Sequence, residues 1–457
     1  MSVSRRKFLT LAGASAASVS MVAPLEALYA RVAQGKIVKG MGYGPLAPKL
    51  ATNADELQGV VLSGIDLSTT PILQLPPGFN YTAISVRGQR MSDGGTVPGV
   101  HDGMAAFPGP NNTTILIRNH EVRALASNAV NVPAAKLYDR LGGGTTTLVI
   151  GANRRVKAHW ASLGGTIRNC AGGPTPWGSW VTCEEDVSLP NGTSITKKHG
   201  YNFEVPATAD IQVAEPTPLV AMGRFNHEAI AVDPATGWVY QTEDEGNSCF
   251  YRFRPNQPGK LQAGGVLEAL VIKGKPVVNT GLRFTEFQGQ PLPVEWVTIE
   301  NVDPATNAFN TSVRGQAQAK GAAIFVRGEG AWYGNGLIYF VATTGGNARK
   351  GQVFAYNPKN DTLTLVVESP GAEQLDMPDN ITVAPFGDLI LCEDGDDDSY
   401  VVGVNRNGEL YQFAKNNIND SEYAGACFSP DGKTLFVNIQ SPGITLAIWG
   451  PWASKRA

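Results

Sequence analysis

The sequence predicts an all-β protein folded as a single β-propeller of six blades with a few short helical insertions, and three observations lead there. Glycine and proline supply 82 of 457 residues, well above the roughly 12% of an average chain. Short β-branched and aromatic runs lie between these breakers, the pattern of many strands joined by tight turns. One unit also recurs: a polar or acidic start, a small-residue apolar strand, a Pro/Gly turn, a second apolar strand, then acids or polar residues.

Six copies follow in order. The first starts at His101-Asp102-Gly103, has its second strand over 114–118 and ends in Asn119-His120-Glu121. The second starts at Asn169-Cys170-Ala171, continues over 179–183 and ends in Glu184-Glu185. The third starts at His227-Glu228-Ala229, continues over 238–242 and ends in Glu243-Asp244-Glu245. The fourth runs from Arg327-Gly328-Glu329 over 337–342 to Thr343-Thr344, and the fifth from Pro378-Asp379-Asn380 over 388–392 to Glu393-Asp394. The sixth runs from Glu422-Tyr423-Ala424 over 434–436 to Asn438. Such a unit cannot bury its faces alone, so the copies close into a ring. Strands over 399–404 and 409–413, joined at Asn407-Gly408, complete the fifth blade. The stretch 255–320 exceeds one blade's outer strands and predicts an insertion with a short helix over 316–323.

Ahead of the repeats, Ser4-Arg5-Arg6-Lys7-Phe8-Leu9 precedes an apolar, small-residue stretch over 10–23, the pattern of a twin-arginine export signal. The chain therefore divides into the signal at 1–33, an N-terminal extension at 34–95 that packs on or closes the propeller, the propeller itself at 96–452 and a tail at 453–457. No later run of 18 apolar residues offers a permanent membrane span. The expectation is a periplasmic or secreted monomer, exported folded by the twin-arginine machinery, a route that often serves proteins loaded with a cofactor beforehand. Without residues 1–33, 33 basic side chains face 39 acidic ones; no basic patch suits nucleic acid. Five cysteines, at 170, 183, 249, 392 and 427, leave at least one unpaired and allow up to two disulfides.

In a propeller the first strand of each blade lines the channel, so equivalent repeat positions become neighbours. Asp102, Cys170, Glu228, Glu329, Asp379 and Glu422 then gather at one end. Glu121, Glu184, Glu185, Glu243, Asp244, Glu393 and Asp394 form a second ring nearby. So many carboxylates cannot all stay ionised without cations. Oxygen donors, with the amides of Asn119 and Asn380, suit calcium, and the sulfur of Cys170 calls for a second, softer ion such as iron. His101, His120 and His227 stand beside these acids, as ligands or as groups that hold a carboxylate in place. Arg327 suits a bidentate clamp on a phosphate or carboxylate; Arg168 and Arg224 are of the same kind or simply pair with an acid. The acidic loop over 393–398 is either a calcium site of its own or a solvated turn. Trp177, Trp180, Trp238 and Trp332 read as blade core. No Gly-x-Ser-x-Gly elbow or Walker loop is present. Two other readings fit an acid-lined propeller: a calcium-only hydrolase of lactonase or phytase-like type, which has no need of Cys170, and a non-catalytic propeller stiffened by calcium that binds a partner.

The run over 169–185, Asn-Cys-Ala-Gly-Gly-Pro-Thr-Pro-Trp-Gly-Ser-Trp-Val-Thr-Cys-Glu-Glu, resembles the PhoX-type alkaline phosphatases. So do Arg5-Arg6, Asn119-His120-Glu121, Gly223-Arg224-Phe225-Asn226-His227-Glu228-Ala229 and Pro378-Asp379-Asn380, and the likeness extends from about Gly95 to Trp452. The resemblance implies a propeller with added helices, hydrolysis of small phosphate monoesters outside the cytoplasm, and a mixed cofactor of ferric iron (Fe3+) and calcium (Ca2+) joined by a bridging oxygen. By position it implies Cys170, Glu228, Glu329 and one of Glu184 or Glu185 as iron or bridging ligands. It implies Glu121, Asp379, Asn380, Glu393 and Asp394 as calcium-side or outer ligands, and Arg327 as the residue that holds phosphate. Arg327, Glu228 and Glu329 are then the catalytic set. The chain departs from the family pattern at Gly328, where the motif has proline between arginine and glutamate.

Overall fold

The computed structural model describes residues 38–39, 42–123, 125–406 and 408–452. The expected twin-arginine signal, the 453–457 tail and Asn407 of the expected turn lie outside the described residues. Six inner strands, His101–Pro108, Asn169–Pro174, His227–Val232, Gly328–Gly334, Pro378–Val383 and Tyr423–Phe428, head blades 1 to 6. Each packs against the next and the sixth against the first, which closes a ring around a channel. Their small residues have a steric cause, because backbones nearly touch at the axis. A Cβ on Gly103 would fall 2.6 Å from the Ala171 Cα, and one on Gly330 would fall 2.6 Å from the Asp379 carbonyl oxygen.

Each inner strand pairs antiparallel with a second strand: Thr114–His120, Ser179–Glu184, Val239–Glu243, Leu337–Ala342, Leu389–Glu393 or Thr434–Ile439. The inner-second pairs of blades 1 to 5 share an irregularity at the strand's start. His101 faces His120 but Met104 faces Arg118; Asn169 faces Glu184 but Gly172 faces Thr182. The same slip follows His227, Gly328 and Pro378. One extra residue on the inner strand makes a β-bulge, which bends the strand and re-aims its side chains. The residue directly after the last regular pair is Asp102, Cys170, Glu228, Glu329 or Asp379. In blade 6 the slip comes later, between Ala424 and Cys427, and the acid Glu422 precedes the strand.

The outer strands carry no repeat motif and depart from a uniform pattern. Among the described residues, sheets of three or more strands number five, one fewer than the inner strands, because blades 3 and 4 are fused. Leu292–Thr298, inside the predicted insertion, pairs with Gly265–Ile272 of blade 3 and with Thr362–Glu368 of blade 4. Blade 2 has three strands. Blade 5 continues through Tyr400–Val404 and Glu409–Asn416, and the N-terminal strands Leu73–Leu75 and Ala47–Lys49 extend it. Blade 6 takes its outermost strand, Asn80–Val86, from the N-terminal extension, paired with Ile444–Trp449. The insertion's helix spans Val313–Ala319, three residues ahead of the expected start. Ser312 sets that start, its Oγ accepting from the Gly315 N–H at 3.1 Å, a side-chain N-cap. All five cysteines are buried free thiols, without disulfides, and no helix among the described residues is long and apolar enough to cross a membrane.

Candidate metal centre

The bulges and the ends of the second strands build one cavity. Its volume is about 140 Å³, and its lining is Asp102, Glu121, Arg168, Cys170, Glu185, Glu228, Asp244, Arg327, Glu329, Asp379, Asp394, Glu422 and Gln440. Inner-strand starts supply Asp102, Cys170, Glu228, Glu329, Asp379 and Glu422. The residue directly after a second strand supplies Glu121, Glu185, Asp244, Asp394 and Gln440. Four blades turn into their inner strands through a non-glycine residue in the left-handed region: Val100 (φ 46), Arg168 (φ 44), Arg327 (φ 54) and Met377 (φ 47). Such residues cost roughly 1–3 kcal/mol each and gather at functional sites.

Two ligand groups stand out within the cavity. Cys170, Glu185 and Glu228 place one donor atom each within 4.8 Å of one another, and Glu228, Glu329 and Asp379 do the same. Glu228 belongs to both. The Cys170 thiol points toward the His227 carbonyl oxygen at 3.3 Å. Its backbone is held by Asn119, whose amide donates to the Cys170 and Ala171 carbonyls at 3.1 and 2.6 Å and accepts from the Trp180 indole at 2.8 Å.

Nine carboxyl groups share this space with two guanidiniums. Arg168 donates from Nε to Glu121 at 2.7 Å and from Nη2 to Glu185 at 2.5 Å. Arg327 forks onto Asp244 at 2.9 and 3.0 Å and reaches Glu329 at 2.6 Å. The remaining negative charge has no cation among the described residues. Burial, reinforced by neighbouring acids, pushes the carboxyls of Asp102, Glu228, Glu329 and Glu422 well above their usual range. Burial raises Glu185 to about 9 against the pull of Arg168, and raises Asp379 to about 7 with Asp394 adding to it. The Cys170 thiol is pushed up by burial and then by Glu228. A cavity that holds carboxyls and a thiol so far from their charged forms fits bound cations, which reverse each shift. The donor set also fits two kinds of ion, one group with sulfur and one of oxygen alone.

The structure thus brings together Glu121, Cys170, Glu185, Glu228, Glu329, Asp379, Asp394 and Arg327 from the sequence-predicted set, and it corrects three others. Glu184, Asn380 and Glu393 do not line the cavity, because successive side chains on a strand point to opposite sides and Glu185, Asp379 and Asp394 take the inward positions. Glu184 turns into blade 2. There it accepts from the backbone of Ile167 at 3.1 Å, Gly200 at 2.9 Å and Tyr201 at 3.3 Å, and meets His199 Nδ1 at 2.7 Å. Glu393 repeats this in blade 5, accepting from Asp376 N at 2.8 Å and Tyr400 N at 3.1 Å. His120 does likewise in blade 1, with Nδ1 at 2.7 Å from the Gly99 carbonyl and Nε2 at 2.9 Å from Thr146. Each side chain staples the second strand to the segment just ahead of the inner strand and to the third strand or, for Glu184, the residues just before it. None of His101, His120 and His227 lines the cavity; His227 Nε2 instead lies 2.9 Å from the Gly223 carbonyl. Arg224 is also turned away, onto the carbonyls of Val187 and Pro304. Gln440, which joins Asp102 and Glu121 at 3.3 and 3.0 Å, gave no sequence signal except its position after a second strand.

Fold and cavity together define a propeller built around a polyanionic centre suited to cations. The chain belongs to the PhoX alkaline phosphatase family, whose model, described as alkaline phosphatase PhoX, matches residues 60–443. It is accordingly a metal-dependent phosphatase of an exported family. Among solved structures, Pseudomonas fluorescens PhoX in complex with vanadate, a transition state analogue, is similar in fold. Its TM-score is 0.64 at 17% identity, over 90% of this chain and 98% of that one. A Xanthomonas campestris gluconolactonase reaches only 0.42 at 12% identity, over 90% and 98% of the two chains. A Staphylococcus aureus virginiamycin B lyase reaches 0.39 at 13% identity, over 81% and 99%. No curated protein matches the chain in sequence.

Proposed function

We propose that the chain hydrolyses small phosphate monoesters at a mixed iron–calcium cluster in this cavity, in the periplasm or outside the cell. The observation that carries the reading is the pair of overlapping ligand groups joined at Glu228, one with sulfur and one without. Cys170, Glu185 and Glu228 would hold the softer ion, iron. Glu228, Glu329 and Asp379 would hold calcium, with Asp102, Glu121, Asp394 and Glu422 as further oxygen donors. When bound, the cations neutralise charge on the transferring phosphoryl group.

The chain's own residues complete the site. Arg327 presents Nη1 with no partner among the described residues, so it can donate to phosphate oxygens while Asp244 fixes the plane of its guanidinium. Among the described residues no serine, threonine, tyrosine or histidine lines the cavity, which favours water as the attacking group. Glu228 and Glu329 are buried, so their surroundings are less polarisable than water and charges there influence the transition state more strongly. The Arg5-Arg6 signal supports export through the twin-arginine pathway, with the cofactor loaded before transport.

The test is elemental analysis of protein exported by its own pathway, with hydrolysis of 4-nitrophenyl phosphate measured before and after chelation. Iron with calcium and chelator-sensitive hydrolysis is the expected result. Calcium alone with hydrolysis would replace the reading by a calcium-only hydrolase, and calcium without turnover by a binding propeller.

A further inference from the structure

The cavity repeats itself on either side of Glu228. Blade 2 supplies Arg168 two residues ahead of Cys170, and blade 4 supplies Arg327 two residues ahead of Glu329. Both arginines have left-handed backbone, and their side chains are 30% and 33% exposed. Each reaches back to the acid that follows the second strand of the preceding blade, Arg168 to Glu121 at 2.7 Å and Arg327 to Asp244 at 2.9 Å. Each also grips a carboxylate of its own ligand group, Arg168 that of Glu185 at 2.5 Å and Arg327 that of Glu329 at 2.6 Å. Among the described residues no aliphatic or aromatic side chain lines the cavity, so charge and hydrogen bonds are what the lining offers a ligand.

We propose that Arg168 is a second anion-binding residue, which selects phosphate monoesters carrying another anionic group, a carboxylate or second phosphoryl, close to the first. This rests on the phosphatase reading, with the transferred phosphate at Arg327. A guanidinium matches a carboxylate or phosphate edge, and its charge-assisted bonds are strong enough to set preference. Glu121 and Glu185 hold Arg168 in place, and Nη1, whose only partner among the described residues is the Glu185 carbonyl at 3.3 Å, keeps a donor for the ligand.

Two measurements on the metal-loaded protein test it. The first compares kcat/KM for 3-phosphoglycerate with that for 4-nitrophenyl phosphate. Arg168→Met is expected to lower this ratio at least about tenfold, the scale of a lost charged hydrogen bond, and Arg168→Lys to recover part of it. The second is calorimetric affinity for phosphonoacetate relative to methylphosphonate, neither of which turns over; the same variants should lose the preference in the same order. An unchanged ratio in both measurements, or an equal fall for both members of each pair, overturns the proposal. Should Arg168→Met lose its metals, Arg168→Lys decides: a several-fold drop in both preferences supports the role and none refutes it. A wild-type protein that hydrolyses neither ester sinks the phosphatase reading, while the binding arm still decides whether Arg168 recognises a second anion.

Discussion

Glu184 and Glu185 are adjacent, both acidic and both buried or nearly so, yet they do opposite work. The residue pattern alone leaves them as alternatives, because a strand's alternation says that they face different ways without saying which faces the axis. The register answers it: Asn169 pairs with Glu184, so the next residue falls at the cavity. Glu184 holds three backbone N–H groups and His199, which itself lies 3.3 Å from Asp139. Glu184→Ala should therefore cost about 3 kcal/mol in denaturant unfolding of the metal-free protein, the scale of orphaned buried donors. Glu185→Ala should leave that stability within about 1 kcal/mol and instead reduce bound metal. Equal losses of stability from the two substitutions would contradict the assignment. Glu393 and Asp394 divide the same way, and Asn380 gives up the cavity to Asp379.

At the scale of elements, the repeat was legible because inner and second strands carry the ligands and small residues that the axis demands. The outer strands were not. Asn80–Val86 pairs with Ile444–Trp449 across nearly the whole chain, and Leu292–Thr298 fuses two blades; neither has a motif, because an outer strand needs only backbone pairing with its neighbour and carries no ligand. The bulge is equally silent in sequence, although it sets which side chain reaches the cavity. Its dependence on close backbone approach yields a test at Gly330, where a Cβ would meet the Asp379 carbonyl at 2.6 Å and the Asn380 Cα at 2.8 Å. Gly330→Val should push the inner strands of blades 4 and 5 apart. The expected cost is about 1–3 kcal/mol of stability, with weaker calcium retention at the site proposed for Glu329 and Asp379, measured by thermal unfolding and calcium content. A variant as stable and as calcium-rich as wild type would show that the approach does not set the site.

For the whole molecule, the ring concentrates acids at one end of its channel, and that should be visible in stability against pH. Asp379 and Glu185, raised to about 7 and about 9, bind protons in the folded metal-free protein that the unfolded chain releases near pH 4. Their contribution is full below that pH and is lost as pH rises through 7 and then 9. The melting temperature of chelated protein should thus fall between pH 5 and 9, while bound cations should flatten the profile; a chelated protein that is more stable at pH 9 than at pH 5 would contradict this. The family likeness was readable from the motifs around Cys170 and Glu228, since chemistry at a fixed centre constrains residue type at fixed repeat positions. The pairing of Arg168 with Arg327 emerges only when the ring is closed. Metal content of exported Glu228→Ala against wild type tests most directly the proposed joining of two cation sites at Glu228. Loss of iron, calcium and phosphatase activity together is the predicted result; a variant that retains the full complement of both ions and full activity would contradict it.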